Sequence, residues 1–468
     1  MSISRAIKPV FVHQVQTRLT DFYHPLSKFK RVARARLFPR KVSDEKREAL
    51  QRLALDSKNV VCLESPYCPH CLKPLSKWGT NPRKMIFDHG QVPNIAGVQR
   101  YRCPTHGEIN ANLNRLVPPR SRYAENWRKR ACQLVYDGNT PAAVRRIFMK
   151  CYGASPSESL IRNWAAAAGN AASAALDSGN VPTSGYFGQD EIHASLRGER
   201  VYIQTMIDLE TSFCPGLGYT IELSDTSIRN YWHRINMKKS SIIEGLVLDG
   251  SSNYDKVLEL PEFSRVEVQL CQAHYKKGIT EKLYIMAGLG HSLSEPLPDP
   301  FPYYKRLLFA PFRRRSRVNA EFTLAYADLT LRGKESTDID RLLDGISKKS
   351  DKLFQYLLSP RLQRTNNKDE KFNNKLERYR NLKKGMQTPR GIKRVADTIA
   401  FLHNYELFPD YIAQVESRTK EARARIKEEP SDKELKAEHM RALNYIQQLK
   451  RWQGGYAKVF DQFFRIAE

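Results

Sequence analysis

Two short clusters of donor atoms repeat one spacing. Cys68-Pro-His-Cys71 and Cys103-Pro-Thr-His106 each place two residues between donors, with 31 residues separating the two knuckles. Zinc takes four soft or borderline ligands in a tetrahedron, and a two-residue spacer lets both side chains of a knuckle reach one ion. A redox Cys-x-x-Cys would open a helix of a thioredoxin-like unit and would leave the second knuckle unexplained. The spacing therefore predicts a structural Zn2+ site on Cys68, Cys71, Cys103 and His106, closed by four ligands and so not catalytic. His70, His89 and Cys62 are spare donors, any of which could replace a ligand. Cys62, Cys132, Cys151 and Cys214 form no pattern, and no disulfide framework is expected.

A second set of residues suits harder metals. Asp190 ends the β-rich run YFGQD, Asp249 ends the apolar run GLVLD, and Glu370 lies at the start of a long basic helix. Strand ends are where open α/β sheets place reactive groups. Paired Mg2+ ions take oxygen ligands and sit ~3.5–4 Å apart across a phosphoryl displacement. Two or three converging carboxylates in a basic groove would supply that. A single acid is by default a helix cap or a solvated charge, and with 50 acidic residues spacing alone does not select this set.

The elements that must position these groups follow from pattern and punctuation. The 468 residues suggest roughly two to four domains. SDEKREALQRLALD (43–56) reads as a helix within a basic segment, 1–60. The Cys/His cluster lies in 61–117. Three helices are expected over 121–170, with Gly138 ending the first and Thr140-Pro141 opening the second. Residues 171–185 read as a linker. Three β-rich runs follow (YFGQDEIHASL, RVYIQTMIDL, CPGLGYTIEL), then helix, strand, helix, strand and helix, with Asp225 or Ser224 as the first N-cap. That order gives a mixed, partly parallel sheet. Residues 285–360 look helical apart from the Pro-rich stretch 294–304; 361–405 and a charged tail, 406–468 and broken at Pro430, are helical.

Charge points to the partner. Lys and Arg number 77 against 50 acids, a net +27 spread over 28–41, 305–317 and 361–394. A distributed positive surface favours a polyanion, through release of condensed counterions. The N-terminal MSISRAIKPVFVHQ lacks a secretory apolar core and no run suits a bilayer, so a soluble intracellular protein is expected, with no membrane partner. No phosphate-binding Gly-Lys loop implies a nucleotide cofactor. In 121–170, two short helices joined by a Gly-containing turn resemble a helix-turn-helix, with Ser157, Ser159, Arg162 and Asn163 near base edges or phosphates. The alternative is a plain three-helix bundle with Leu134, Val144, Ile147, Leu160 and Trp164 as core.

Three segments together resemble a known family. The strand meander carrying Asp190, then GLVLDG with Asp249, resembles the ribonuclease H-like core of DDE transposases. Cys271-Gln-Ala-His274 resembles the Cys-x-x-His signature of Mutator-type and related bacterial insertion-sequence transposases. Thr365-Asn-Asn-Lys-Asp-Glu370-Lys-Phe-Asn373 is similar to that family's Thr-Asn-x-x-x-Glu-x-x-Asn segment. The resemblance covers about 186–405 and implies a multidomain α+β protein. Its expected parts are a zinc ribbon (61–117), a helix-turn-helix (121–170), a ribonuclease H-like core (186–284 and 361–405) interrupted by an α-helical insertion (285–360), and a helical tail (406–468). It implies a DNA transposase in which Asp190, Asp249 and Glu370 hold two Mg2+, with Mn2+ able to substitute. Cys271, His274, Asn367 and Asn373 would support the site, and Lys371, Lys375 and Arg378 would form a basic stripe along DNA. The expected partners are double-stranded terminal inverted repeats, target DNA and further copies of the chain, as a homodimer or larger assembly. Glu191, Asp208, Asp369 and Glu377 remain alternative carboxylates. A structure-specific nuclease on the same fold, or a DNA-binding regulator derived from a transposase, are the rival functions.

Overall fold

In the computed structural model, the described residues are 53–58, 60–85, 95–110, 123, 125–238, 242–290, 294–382, 388–428 and 432–465. The basic run 28–41, most of the 43–56 helix, His89 and Pro430 lie outside them. The chain divides into two compact units. One comprises Met1–Cys132, Pro141–Ile161 and Ile466–Glu468; the other comprises Gln133–Thr140 and Arg162–Arg465.

The first unit holds a small five-stranded sheet. Its strands are β1 (Leu53–Leu55), β2 (Val60–Leu63), β3 (Ser76–Met85), β4 (Ile95–Cys103) and β5 (Gly107–Asn110). The order is β1-β2-β4-β3, with β5 also on β4; β2 and β4 run parallel and the other pairs antiparallel. Leu53–Leu55 was expected to be helical, yet it pairs with Val61–Leu63. The backbone N–H of Leu63 donates to the buried Tyr101 hydroxyl at 3.0 Å, tying β2 to β4.

Three helices follow: α1 (Glu125–Tyr136), α2 (Pro141–Tyr152) and α3 (Glu158–Ser178). Pro141 opens α2 as its first residue, where the missing N–H costs nothing. Gly138 takes φ +98 after α1, the left-handed conformation favoured at helix ends. The buried residues are offset by one from those expected. Val135, Phe148, Ile161 and Ala165 are buried, whereas Leu134, Ile147, Leu160 and Trp164 are only half-buried; Val144 is buried as expected. Trp127 replaces them as the anchor, with its ring 5.0 Å from Phe148. The expected linker at 171–185 is also corrected. Helix α3 continues to Ser178, because Ala-rich AASAAL is a strong helix former that buries Ala172 and Leu176.

The second unit is built on the sheet β6 (Tyr186–Leu196), β7 (Glu199–Asp208), β8 (Gly218–Thr220), β9 (Gly245–Leu248) and β10 (Glu267–Leu270), ordered β10-β9-β6-β7-β8. Strands β6, β7 and β8 form an antiparallel meander, and β9 and β10 add in parallel beside β6. Only three residues of CPGLGYTIEL are strand, since Pro215 and Gly216 interrupt the pairing. The connecting helices are α4 (Asp225–Asn236), α5 (Asn253–Leu258) and α6 (Gln272–Met286). Ser224 is the N-cap of α4, in a reciprocal capping box with Ser227.

Both faces of the sheet are covered. Phe187, Met206 and Leu246 pack with Trp232 and Tyr254 from α4 and α5. Ile192, Val201 and Ile203 pack on the other face with Leu176 of α3, Phe372 and Leu376, and Ile392 and Ala396. The last four lie on α11 (Asn367–Leu382) and α12 (Pro389–Glu428). Between α6 and α11 come α7 (Phe301–Phe309), α8 (Arg317–Leu331), α9 (Thr337–Lys348) and α10 (Ser350–Leu353), which share a core of Leu308, Phe312, Leu324, Leu343, Ile346 and Phe354. Helix α7 begins inside the expected Pro-rich break, since Pro302 sits in its first turn. The tail helix α13 (Lys433–Phe463) folds back along α12: Tyr405 stacks on Phe460 at 4.0 Å and Phe401 on Tyr456 at 5.1 Å. Pro409 lies within α12. Among the described residues no helix is long and apolar enough to cross a membrane.

Candidate functional site

The two knuckles converge. The Cys68 sulfur lies 3.6 Å from His106 Nδ1, Cys71 and Cys103 sulfurs are 3.5 Å apart, and Cys103 is 3.6 Å from His106 Nδ1. A tetrahedral Zn–S shell of ~2.3 Å bonds requires donors about 3.8 Å apart, so the spacing and the donor set both fit the ion. The first knuckle is turned by Leu72 N–H donating to Cys68 O at 2.9 Å, and the second by the β4–β5 turn with Gly107 at φ +76. Backbone N–H groups of His70 and Thr105 each reach a ligand sulfur at 3.4 Å. Burial pushes the Cys68 thiol up to about 12. The Cys103 thiol is lowered to about 6: burial opposes this, but the Thr105 N–H and His106 outweigh it. This cluster could bind a structural zinc. Of the spare donors, Cys62 points its thiol at Val60 O at 3.5 Å, and His70 lies beside the cluster with its ring 5.2 Å from that of His106.

In the second unit the sheet brings acids together across one strand end. Strand β9 stops at Leu248 while β6 runs on past it, so Asp249 meets the middle of β6. Ligand oxygens of Asp190, Glu191 and Asp249 all lie within 4.8 Å of one another. Successive strand residues point to opposite faces. Asp190 therefore faces α11, where Asn373 Nδ2 donates to its Oδ2 at 3.0 Å, while Glu191 faces α5 and accepts from the Tyr254 hydroxyl. The Glu191 N–H caps Asp190 Oδ1 at 2.9 Å, and the Ser251 N–H caps Asp249 Oδ1 at 2.8 Å. Burial raises both β6 carboxyls, reinforced by the negative charge of Asp249. Glu191 reaches about 8, whereas Asp190 is partly offset by its N–H cap and by His274.

Glu370 stands in a second group. Its carboxylate lies 3.9 Å from His274 Nε2, and Cys271, His274 and Glu370 offer donor atoms within 4.8 Å of one another. Cys271 is fully buried just before α6, its N–H bonded to Leu248 O at 2.7 Å, so the motif is anchored to the same strand that ends at Asp249. The neighbouring Cys271 sulfur raises His274 to about 9 against the effect of burial, and Asp190 and Glu370 add to the rise. The field of Asp190 thus reaches the imidazole that Glu370 touches.

The other acids have separate duties. Asp369 is fully buried beneath β6, accepting from Thr205 Oγ1 at 3.2 Å and from Asn366 Nδ2 at 3.4 Å. Burial drives its carboxyl well above the ordinary range, with the charge of Asp190 adding. Asp208 closes the turn after β7, accepting from the N–H groups of Thr211 at 2.7 Å and Glu210 at 3.0 Å. Glu377 is half-buried farther along α11. Asn366, rather than the exposed Asn367, bonds the sheet: its Nδ2 donates to Gln189 O at 3.1 Å. Its other amide atom fills the space a side chain at Gly188 would need, since a Cβ there would lie 1.9 Å from Asn366 Oδ1.

Lys371, Lys375 and Arg378 are exposed on α11, and Lys375 also pairs with Glu406 at 3.6 Å. Ser157, Ser159, Arg162 and Asn163 are exposed at the start of α3, where Ser157 Oγ accepts from the Leu160 N–H at 3.2 Å as a helix cap. Glu191, Tyr254, Thr205 and Asn366 are the site-shaping residues that spacing did not single out as such. Glu191 carried a signal as the acid next to Asp190, and Asn366 as the first Asn of the segment Thr365–Asn373. No protein-family model matches this chain, and no curated protein matches it.

Proposed function

We propose that the protein is a DNA transposase that cuts and joins DNA strands, with Asp190, Asp249 and Glu370 holding two Mg2+ ions. The chief support is the convergence of the Asp190 and Asp249 carboxylates at one strand end, in a chain carrying a net charge of +27. Their oxygens are the hard donors that such ions take. Bound there, the ions would supply Lewis-acid activation of the attacking and leaving oxygens of a phosphodiester.

The chain's own groups prepare that chemistry. Asn373 and the Glu191 N–H orient Asp190, and the Ser251 N–H fixes Asp249. His274, raised to about 9, brings positive charge beside Glu370. Lys371, Lys375 and Arg378 offer phosphate contacts along α11. In-line attack by water would break a P–O bond and free a 3′-hydroxyl, and that hydroxyl would then attack a target phosphate and displace the target strand's own 3′-oxygen, which leaves as a hydroxyl.

The meander with two parallel strands beside it supports a ribonuclease H-like core, and the converging knuckles a zinc ribbon. Helices α2 and α3, with the exposed Ser157, Ser159, Arg162 and Asn163, support a helix-turn-helix for the terminal inverted repeats.

The test is to incubate the full chain with Mg2+ and duplexes carrying the DNA that flanks its own gene, then map nicks and joined products beside Asp249→Ala. End-specific nicking and joining that vanish in the variant are expected, with a loss of about a thousandfold if the ions contribute several kcal/mol. Cutting of branched DNA without joining would replace the transposase with a nuclease. End binding without cleavage in Mg2+ or Mn2+ would leave a regulator.

A further inference from the structure

Helix α8 carries an apolar stripe that nothing in the described chain covers. Its inner face is spent on the helical core through Ala320, Thr323, Leu324, Ala327 and Leu331. On the opposite side Val318, Phe322, Tyr326 and Leu329 are 73%, 74%, 56% and 76% exposed. Steps of four, four and three residues place them in one row, about 16 Å long at the helical rise. Isolated exposed apolar residues are ordinary, but a contiguous row of four with two aromatic rings is not.

We propose that this face of α8 is the two-fold interface between two copies of the chain. Three observations favour that occupant. The first is self-complementarity. In an antiparallel pair crossing between Thr323 and Leu324, Phe322 meets Ala325, Val318 meets Leu329, and Tyr326 meets Glu321 of the other copy. Each pairing sets large against small, branched against branched, or a phenol O–H against a carboxylate, and the antiparallel helix dipoles attract. The second is area. Four side chains this exposed present on the order of 500 Å2, most of the roughly 800 Å2 per partner of a stable interface. The third is charge. From Arg317 to Lys348 there are five basic and six acidic side chains, an island of near neutrality in a chain of +27. Arg317 is already engaged by Glu321 and Asp351. The row itself carries no basic side chain between Val318 and Leu329; the exposed Arg313, Arg314 and Arg315 stop short of it, before the helix begins.

The tail helices bury their aromatic anchors and Leu449 inside the chain, with Phe401, Phe408, Leu449 and Tyr456 all buried, and leave only Met440 and Leu443 as large apolar residues exposed on α13.

The experiment is sedimentation of the full chain without DNA across the micromolar range, beside Phe322→Asp and, separately, Leu329→Asp. The wild type is expected to form a dimer. Each variant should weaken association by roughly tenfold or more, while thermal midpoints taken at concentrations where wild type and variant are both monomeric should agree, because both positions then face solvent. A wild type that stays monomeric, or variants that dimerise as well as it does, would overturn the assignment. So would a loss of duplex binding in Phe322→Asp with no change in mass, which would make the row a nucleic-acid face. No DNA enters the sedimentation measurement, so failure of the transposase assignment leaves its outcome intact.

Discussion

Cys68, Cys71, Cys103 and His106 come from two tight turns on one small sheet, each knuckle delivering a pair of donors through its own backbone. Asp190 and Asp249 come from a strand and a strand end 59 residues apart, and only packing brings their oxygens within 4.8 Å; Glu370, on a helix, stands in a separate group with Cys271 and His274. The first cluster is local, so a zinc held there would depend on each short turn by itself. The second depends on groups behind the carboxylates: the notch at Gly188, the Asn366 amide seated in it, and the buried Asp369 beneath.

The widest gap between the two should follow from Cys103→Ser. Structural zinc supplies on the order of 10 kcal/mol to small domains. The variant should lose its bound zinc, measured by atomic absorption, together with protection of strands β1–β5 in hydrogen exchange. Retained stoichiometric zinc would show that a spare donor such as His70 closes the shell. Gly188→Ala attacks the packed site from behind. The added Cβ meets Asn366 Oδ1 at 1.9 Å, and overpacking of this kind costs about 1–3 kcal/mol, read as a lower denaturant midpoint. An unchanged midpoint would mean that α11 moves aside freely.

A smaller effect concerns pH. In chelator, folded Glu191 keeps its proton up to about 8, mainly through burial and then through Asp249 and Asp190, whereas the free carboxyl loses it near 4.5. The folded state therefore binds more protons between those values, and stability falls as pH rises through that window. Glu191→Gln removes this loss, so the variant should gain on the wild type from pH 5 to 8 in parallel chemical melts. Parallel profiles would place Glu191 in water. Least of all should change in Cys62→Ser: its thiol bonds Val60 O and lies outside the four-donor cluster, so zinc content should hold.

Local signals were legible and packed ones were not. Two-residue spacers announced the Cys/His cluster because its geometry is set within each turn. Alternating apolar runs announced β6 and β7, and Ser224 or Asp225 announced the start of α4, where Ser224 is the cap. The bundle core was misread by one position, because Leu134 and Val135, or Ile147 and Phe148, are adjacent apolar residues that periodicity alone cannot rank. The Ala-rich segment 171–176 reads as a linker because small residues signal both loops and close helix contacts; it is the last part of α3, and α12 decides it, packing Ile392 and Ala396 on Leu176 and pairing Lys393 with Asp177 at 3.1 Å. Asp369 and Glu370 could not be told apart in sequence. The helix turns one toward the buried sheet and the other toward His274, a 100° difference that only the docking of α11 fixes.

Helix α12 is one element of 40 residues, about 60 Å of rod. At Pro409 that rod lacks a rung, since proline has no N–H to donate, and an unbraced helix would bend there. Helix α13 lies across the gap: Phe460 grips Tyr405 on one side of it, and the Tyr445 hydroxyl meets Tyr411 at 3.5 Å on the other. The rod's stiffness is thus borrowed from its neighbour, as a splint stiffens a joint. A load applied at the far end of α12 would be carried past Pro409 for as long as α13 stays seated, and would be absorbed at Pro409 once it is peeled away.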